Sequence, residues 1–329
     1  MWYNRKKKCK QKGDAEMGIV KTILPVVSML LLGGIFRNLG FLKREGIDNI
    51  KFLVTKVMLP VAIFHALGTA DYSKKTGVIV IIIFIMLVLT FSVGFLLRPL
   101  LEKRYRRYLP YLVSVYEGGM LAYPLFTNLC GAEKLSHIAI LDIATSIFGF
   151  SVYMSMLSQM ESGEKTTLKG IISSAFRNPA FLASILGITF GLTGALPAVL
   201  TTGGGVVYQA MVDMLTASLS PMILLVVGFE LTMKKEFFVP CLKSMGMRLA
   251  VQGLAAWGVI TAVHHFVGNN PYTDIAILIY MSVPTTFSTQ SYLVTEDGNE
   301  FVATTNSMYC LVTIALYMVI VGVAQIWLI

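Results

Sequence analysis

The sequence predicts an all-α polytopic membrane protein of ten transmembrane helices, arranged as a 5+5 inverted repeat with two proline-broken crossing helices. Three observations lead there. The 329 residues are 55% hydrophobic and only 14% charged, with a mean hydropathy of +0.71, which excludes a soluble domain of ordinary composition. The apolar stretches are long and continuous, as in Val78–Leu97 and Ile138–Leu157, and not the short alternating segments of a membrane β-barrel. Finally, intramembrane prolines recur at a constant offset. Pro60 and Pro221 are 161 residues apart and Pro124 and Pro284 are 160 apart, the mark of an internal repeat.

The first sixteen residues carry Arg5, Lys6, Lys7, Lys8, Lys10 and Lys12. This basic tail is either an anchor for anionic lipid or the product of an upstream start codon, with Met17 the native beginning. The apolar run that follows is long enough to span and lacks a small-residue cleavage site, so a secretory signal peptide is not expected. Apolar runs and their charged or Gly/Pro interruptions then place spans near 18–36, 47–69, 77–99, 109–130, 135–157, 179–197, 206–231, 240–267, 272–294 and 300–328. The halves are 17–157 and 179–329, joined by a cytoplasmic linker over 158–178.

Charge orients these spans. Most of the +9 excess falls after the odd spans: Arg37, Lys43, Arg44, Lys51 and Lys56; Arg98, Lys103, Arg104, Arg106 and Arg107; Lys165, Lys169 and Arg177; Lys234, Lys235, Lys243 and Arg248. The other face holds Lys21, Lys74, Lys75 and Lys134. The positive-inside rule puts the odd loops in the cytoplasm and both termini outside a cell (inner) membrane, against which the basic tail argues. A five-span repeat inverts its second copy, and the basic loops do change parity: 37–46 and 98–107 are basic, whereas 198–205 and 259–268 lack Lys and Arg. Inverted repeats with paired broken helices are the pattern of a secondary transporter with alternating access. A proline inside a span removes an amide donor and clashes with the preceding turn, so Pro60, Pro124, Pro221 and Pro284 are the expected helix breaks, with the binding site at Pro124 and Pro284.

The polar residues inside spans are few. Glu117 stands beside Gly118 and Gly119, and an intramembrane carboxylate is a functional candidate by default; it is read as the proton- or cation-coupling group, or else as a partner for a hydroxyl or amide. Asp142 is a second coupling candidate or a helix-to-helix hydrogen-bond partner. Asp213, Glu230 and Asp274 lie nearer span ends, where solvation or pairing with neighbours such as Lys234 is cheap. Beyond Pro284, the run Thr285, Thr286, Ser288, Thr289, Gln290 and Ser291 is too polar for a lipid-facing helix, and Thr285 and Thr286 are candidate anion ligands at a half-helix N-terminus. Asn306 and Ser307 are candidates for the same cavity. His264 and His265 are adjacent and lack the spacing of a zinc pair, and His65 reads as a polar interface residue. The scattered Cys9, Cys130, Cys241 and Cys310 suggest neither a metal site nor a disulfide framework. No cofactor or nucleic-acid partner is expected. No Walker A, H-E-x-x-H or G-x-S-x-G motif supports an enzyme.

The segment Glu117-Gly118-Gly119-Met120-Leu121-Ala122-Tyr123-Pro124 resembles the fourth-span pattern Asn-x-Gly-x-x-Gly-x-Pro of the auxin efflux carrier family, the bacterial relatives of the plant PIN carriers. Gly119 and Pro124 match, Ala122 departs conservatively, and Glu117 replaces the family Asn. Ser282-Val283-Pro284-Thr285-Thr286-Phe287 is similar to the family's second crossing segment, and the layout covers nearly the whole chain from Met17. The resemblance implies a fold similar to sodium/proton antiporters and bile-acid sodium symporters. Broken helices would cross at Pro124 and Pro284 in a domain that moves against a scaffold of the first, second, sixth and seventh spans, through which a homodimer could form. It also implies small organic anions, often carboxylates, bound around Glu117, Gly119, Pro124, Pro284, Thr285, Thr286, Gln290 and Ser291, without ATP. The departure at Glu117 leaves the substrate open, because a carboxylate there repels an anion unless protonated or cation-paired. The alternative is a Na⁺- or H⁺-coupled symporter or antiporter using Glu117 and Asp142.

Overall fold

The computed structural model describes residues 22–70, 72, 74–162, 167–231 and 233–327; the basic tail, Met17 and Cys9 lie outside them. These residues are all-helical, with no strand among them. Six helices are long and apolar enough to cross a membrane. They are α2 (Arg44–Gly68), α3 (Lys75–Leu100), α6 (Ser136–Glu161), α10 (Gly203–Glu230) and two more, α11 and α13. The α-helical part of α11 is Phe238–Phe266, and α13 is Glu296–Trp327. Shorter apolar helices are α1 (Thr22–Asn38) and α8 (Pro179–Leu192). Two apolar segments are discontinuous. One comprises α4 (Leu109–Val113) and α5 (Tyr123–Cys130), the other α12 (Pro271–Ser282) and a 3₁₀ turn over Phe287–Tyr292. The helices α7 (Leu168–Phe176) and α9 (Ala195–Leu200) are connectors, so part of the expected linker 158–178 is helical.

The prolines act differently from one another. Pro284 ends α12: the residue before a proline is driven out of the helical region, and Val283 is extended (φ −81°, ψ 160°). Near Pro124 the interruption lies upstream, from Ser114 (φ −102°, ψ −91°) to Glu117. A π-turn over Gly118–Ala122 then leads into α5, with Pro124 in its first turn, so that the wider turn absorbs its missing donor. Pro60 likewise follows a π-turn, Val54–Met58. The wider turn absorbs the missing donor, and α2 continues, so the break expected at Pro60 is not made. Nor is the one at Pro221, which stands inside α10. A single absent donor does not end a helix whose other bonds are intact and whose flanks are packed.

Packing separates two groups of helices. In the first, α2 packs against α8 and α10, and α1 meets α10 so closely that a methyl group at Gly228 would lie 2.0 Å from the Leu30 carbonyl oxygen and one at Gly33 2.1 Å from that of Leu225. In the second, α11 contacts α3, α4, α12 and α13, while α6 packs on α3 and α12. The groups meet where α2 packs on α6 and where α10 crosses α5, the latter at a Thr127–Ser220 hydroxyl pair of 2.9 Å.

Ion pairs tie the basic ends together. Glu230 accepts from Lys51 at 2.9 Å and Arg44 at 3.1 Å, not from Lys234, which pairs with Glu300. Arg104 bonds Asp297 at 2.5 Å and Arg107 bonds Glu161 at 3.2 Å. At the far ends, Asp274 receives His264 at 2.9 Å and Asp213 receives Gln209 at 2.8 Å.

The α1–α10 contact gives a first prediction. Gly228→Ala forces two backbones apart and should lower stability by about 1–3 kcal/mol, read as a lower melting temperature of the purified protein. Gly246→Ala, where an added methyl meets nothing within 4 Å, should leave it unchanged or slightly raised.

Candidate functional site

Breaking two helices inside a membrane frees backbone groups that no water can satisfy, so the site is best built by following where those groups bond. On the carbonyl side the chief donor is Arg248, counted by its charge among the loop cations. The structure places it inside α11 at 3% exposure. Its guanidinium donates to the carbonyls of Leu112 (2.5 Å), Val115 (3.1 Å) and Val283 (2.7 Å). One turn on, Gln252 donates to Val113 O at 2.5 Å and is itself oriented by the Tyr116 hydroxyl at 2.7 Å.

The remaining carbonyls also have donors. Pro110 O receives Ser114 Oγ at 2.8 Å. Tyr111 O receives Thr285 Oγ1 at 2.8 Å and the Tyr153 hydroxyl at 3.0 Å. Ser282 O receives Thr313 Oγ1 at 2.7 Å, and Pro284 O receives the Glu117 N–H at 2.9 Å.

On the amide side the acceptor is Glu117, buried to 7% exposure. Its Oε1 accepts the Met120 N–H at 3.1 Å and its Oε2 the Phe287 N–H at 2.7 Å. One carboxylate thus caps the start of the π-turn leading into α5 and the 3₁₀ turn after Pro284, while its own backbone bonds the proline. Negative charge at helix starts and positive charge at helix ends both oppose the local dipole; Glu117 and Arg248 supply one of each to the same crossing. Asp142 on α6 lies alongside, accepting the Tyr123 hydroxyl at 3.2 Å and, through a very short contact, that of Tyr280. A methyl at Gly118 would stand 2.7 Å from Asp142 Oδ1, so glycine is needed for the carboxylate to approach the break.

A cavity of about 560 Å³ reaches this crossing. Glu117, Gly119, Asp142 and Thr286 line its inner part, and Lys51, Lys56 and Arg177 its basic side. A smaller cavity of about 230 Å³ is lined by Arg44, Lys51, Gln290 and Ser307, among others.

The structure therefore gathers Glu117, Gly119, Asp142 and Thr286 around one space. Thr285, expected as an anion ligand, is 1% exposed and spends its proton on Tyr111 O; Thr289 is wholly buried against the Tyr153 hydroxyl at 2.7 Å. Pro124 is buried behind the cavity wall, and Pro284 contributes its carbonyl. Gln290 faces the smaller cavity, as does Ser307, whereas Asn306 is buried. The side chain of Ser291 lies outside the described residues. Sequence reasoning missed Arg248 and Gln252. The signal was present: they fall on the stripe Cys241, Met245, Arg248, Gln252, Ala256, Val259 and Val263, which forms the buried face of α11.

This chain belongs to the membrane transport protein family, whose family model matches residues 18–324; this is the auxin efflux carrier family that its fourth-span segment resembles. It is similar to an uncharacterized transporter of Methanothermobacter thermautotrophicus (strain Delta H), 27% identical over 249 residues that make up 74% of this chain and 78% of that protein. The family and the apolar helices indicate a multi-pass membrane protein and a transporter.

The double cap at Glu117 can be tested directly. Glu117→Gln retains one oxygen acceptor but turns an amide toward the second N–H, and Glu117→Ala removes both. Hydrogen bonds to a charged group contribute roughly 1.5–3 kcal/mol each, so melting temperature should fall in the order wild type, Gln, Ala. Equal melting temperatures for the Ala variant and wild type would show that neither cap holds the crossing together.

Proposed function

We propose that this protein is a secondary carrier for small organic anions, carboxylates above all, working by alternating access at the crossing of its two broken helices. The observation that carries this reading is the cavity: its lining combines Lys51, Lys56 and Arg177 with Glu117, Gly119 and Thr286 of the crossing. Cations lining an entrance raise the local concentration of an anion. Thr286 and Ser288 add polar groups to the lining. The positive-inside rule puts these basic residues in the cytoplasm, so the cavity is open inward, with both termini outside the cell membrane.

The order of elements supports a ten-span inverted repeat. Each half runs short helix, long helix, long helix, broken helix, long helix: α1, α2, α3, α4–α5, α6 and then α8, α10, α11, α12 with its 3₁₀ turn, α13. The two packing groups divide the same way in both halves, with α1, α2, α8 and α10 as the scaffold and the rest as the moving body. A homodimer through the scaffold fits this division. Movement of one body against the other would carry the crossing across the membrane, with no ATP and no cofactor.

Glu117 sets a condition on the anion. A carboxylate already at the crossing repels a second one, so the substrate is accommodated when Glu117 carries a proton. That favours the coupled reading, in which Glu117 and Asp142 link substrate movement to an ion gradient.

Uptake of labelled mono- and dicarboxylates into proteoliposomes, with and without proton or sodium gradients, tests the proposal. Saturable flux of at least one carboxylate is expected; none for any anion sinks the reading. Glu117→Gln should abolish gradient dependence while leaving exchange, and an unchanged pH profile would remove Glu117 from the coupling role. A C-terminal tag should be reachable from outside intact cells.

A further inference from the structure

Four backbone carbonyls converge where α4 and α12 end. The oxygens of Leu112, Val115 and Val283 lie 2.5, 3.1 and 2.7 Å from the Arg248 guanidinium, and that of Val113 lies 2.5 Å from the Gln252 amide. Unwound carbonyls and half-helix C-terminal ends are the groups with which discontinuous helices of carriers coordinate sodium. Here they surround a covalently attached cation. Among the described residues no carboxylate forms an ion pair with Arg248; its charge is answered by carbonyl dipoles and by the faces of Tyr116 and Tyr309, 5.6 and 5.1 Å from the guanidinium carbon.

We infer that Arg248, with Gln252, is a resident substitute for a coupling sodium ion, so that the ion this crossing couples to is the proton. This rests on the carrier reading for the word coupling, but the occupancy of the carbonyl cluster does not. A guanidinium tethered to α11 does not dissociate within a transport cycle. A free sodium ion entering the cluster would meet both its charge and carbonyls that each already accept a bond from Arg248 or Gln252. The groups left to carry a mobile charge are the carboxylates on the other side of the break. Glu117 is faced there by Asp142 from α6, Lys51 from α2 and the Cys310 thiol from α13. Asp142 is held by Tyr123 and Tyr280. Glu117 is tied to the cluster by its N–H bond to Pro284 O, next to the Val283 carbonyl that Arg248 holds, and stands two residues from Val115, whose carbonyl Arg248 also holds. Arg248 is thus a positioning residue that selects the ion.

The test uses the purified full-length protein. Melting temperature is measured in sodium chloride and in choline chloride at equal ionic strength for wild type, Arg248→Ala and Arg248→Lys. Wild type and Arg248→Lys, which keep the charge, should show no sodium-specific shift. Arg248→Ala empties the cluster and should gain one of about 2–4 °C at a sodium concentration several times the dissociation constant. A sodium-specific shift in wild type overturns the inference, as does a folded Arg248→Ala protein that gains none. If Arg248→Ala does not fold, binding of radiolabelled sodium to wild type decides: saturable binding overturns the inference and its absence supports it. In proteoliposomes, carboxylate flux should follow an imposed pH gradient and ignore a sodium gradient. Sodium-driven flux overturns the inference, whereas no flux under either gradient sinks the carrier reading and leaves the sodium titration to decide the rest.

Discussion

Everything at the crossing depends on satisfying backbone carbonyls that two interrupted helices leave exposed in a membrane interior. An unpaired peptide group in an apolar medium costs several kcal/mol, and the chain leaves nine carbonyls in need of donors between Pro110 and Val115 and between Ser282 and Pro284. Hydroxyls serve three of them and a backbone amide one. The other five fall to Arg248 and Gln252. Arginine suits this position because its planar fork presents five donors in fixed directions and stays charged in any protein environment. Lysine would offer a compact point charge, able to reach fewer acceptors spread over two helix ends. Burying the guanidinium is itself costly, and its bonds to the carbonyls offset that cost while satisfying the broken helix ends.

The same interaction makes a mechanical unit. Arg248 belongs to α11, Leu112 and Val115 to the first broken segment and Val283 to the second, so one side chain bonds three elements. Glu117 adds a second tie, from the first broken segment to the second, through both its side chain and its N–H. Together they fix the crossing to α11, and α11 packs on α3, α12 and α13. By contrast, what joins this group to α1, α2, α8 and α10 is lighter at the crossing: the Thr127–Ser220 hydroxyl pair and apolar contacts such as that of Leu59 with Gly119. A sliding boundary would be expected where bonds are few and side chains small, and that is where α10 passes α5.

The gross fold could be read from composition and periodicity because a membrane leaves so few backbone solutions. The site was only partly legible. Pro284 marked its break, since proline acts on the residue before it and nothing nearby compensates. Pro124 and Pro60 pointed near, not at, the irregularity, because each sits just past a π-turn that absorbs the missing donor. Pro221 marked nothing that the surrounding helix could not tolerate. Within the polar run after Pro284, Thr285 and Thr289 turn inward to Tyr111 and Tyr153: a hydroxyl's direction depends on which carbonyl lacks a donor, and that is fixed by the other half of the chain. Arg248 was hidden by its own charge. Counted by sign it belongs with the loops, but counted by helical position it lies on the buried stripe of α11, where a cation has to have partners.

Arg248 and Glu117 hold the crossing in different ways. The bonds of the guanidinium are spread over acceptors from two helix ends, so breaking any one of them leaves the rest to hold it. The Glu117 carboxylate has two amide partners, one in each half, and stands at the wall of the cavity that Lys51 also lines. Protonating it would turn one of its acceptor oxygens into a donor facing an N–H, which favours release of one cap. Because the two caps lie on different halves of the crossing, that release would loosen the halves from each other on the cavity side while Arg248 still holds their opposite ends. The crossing is thus held at its carbonyl ends by Arg248 and at its amide ends by Glu117, two side chains of opposite charge that bind opposite kinds of backbone group.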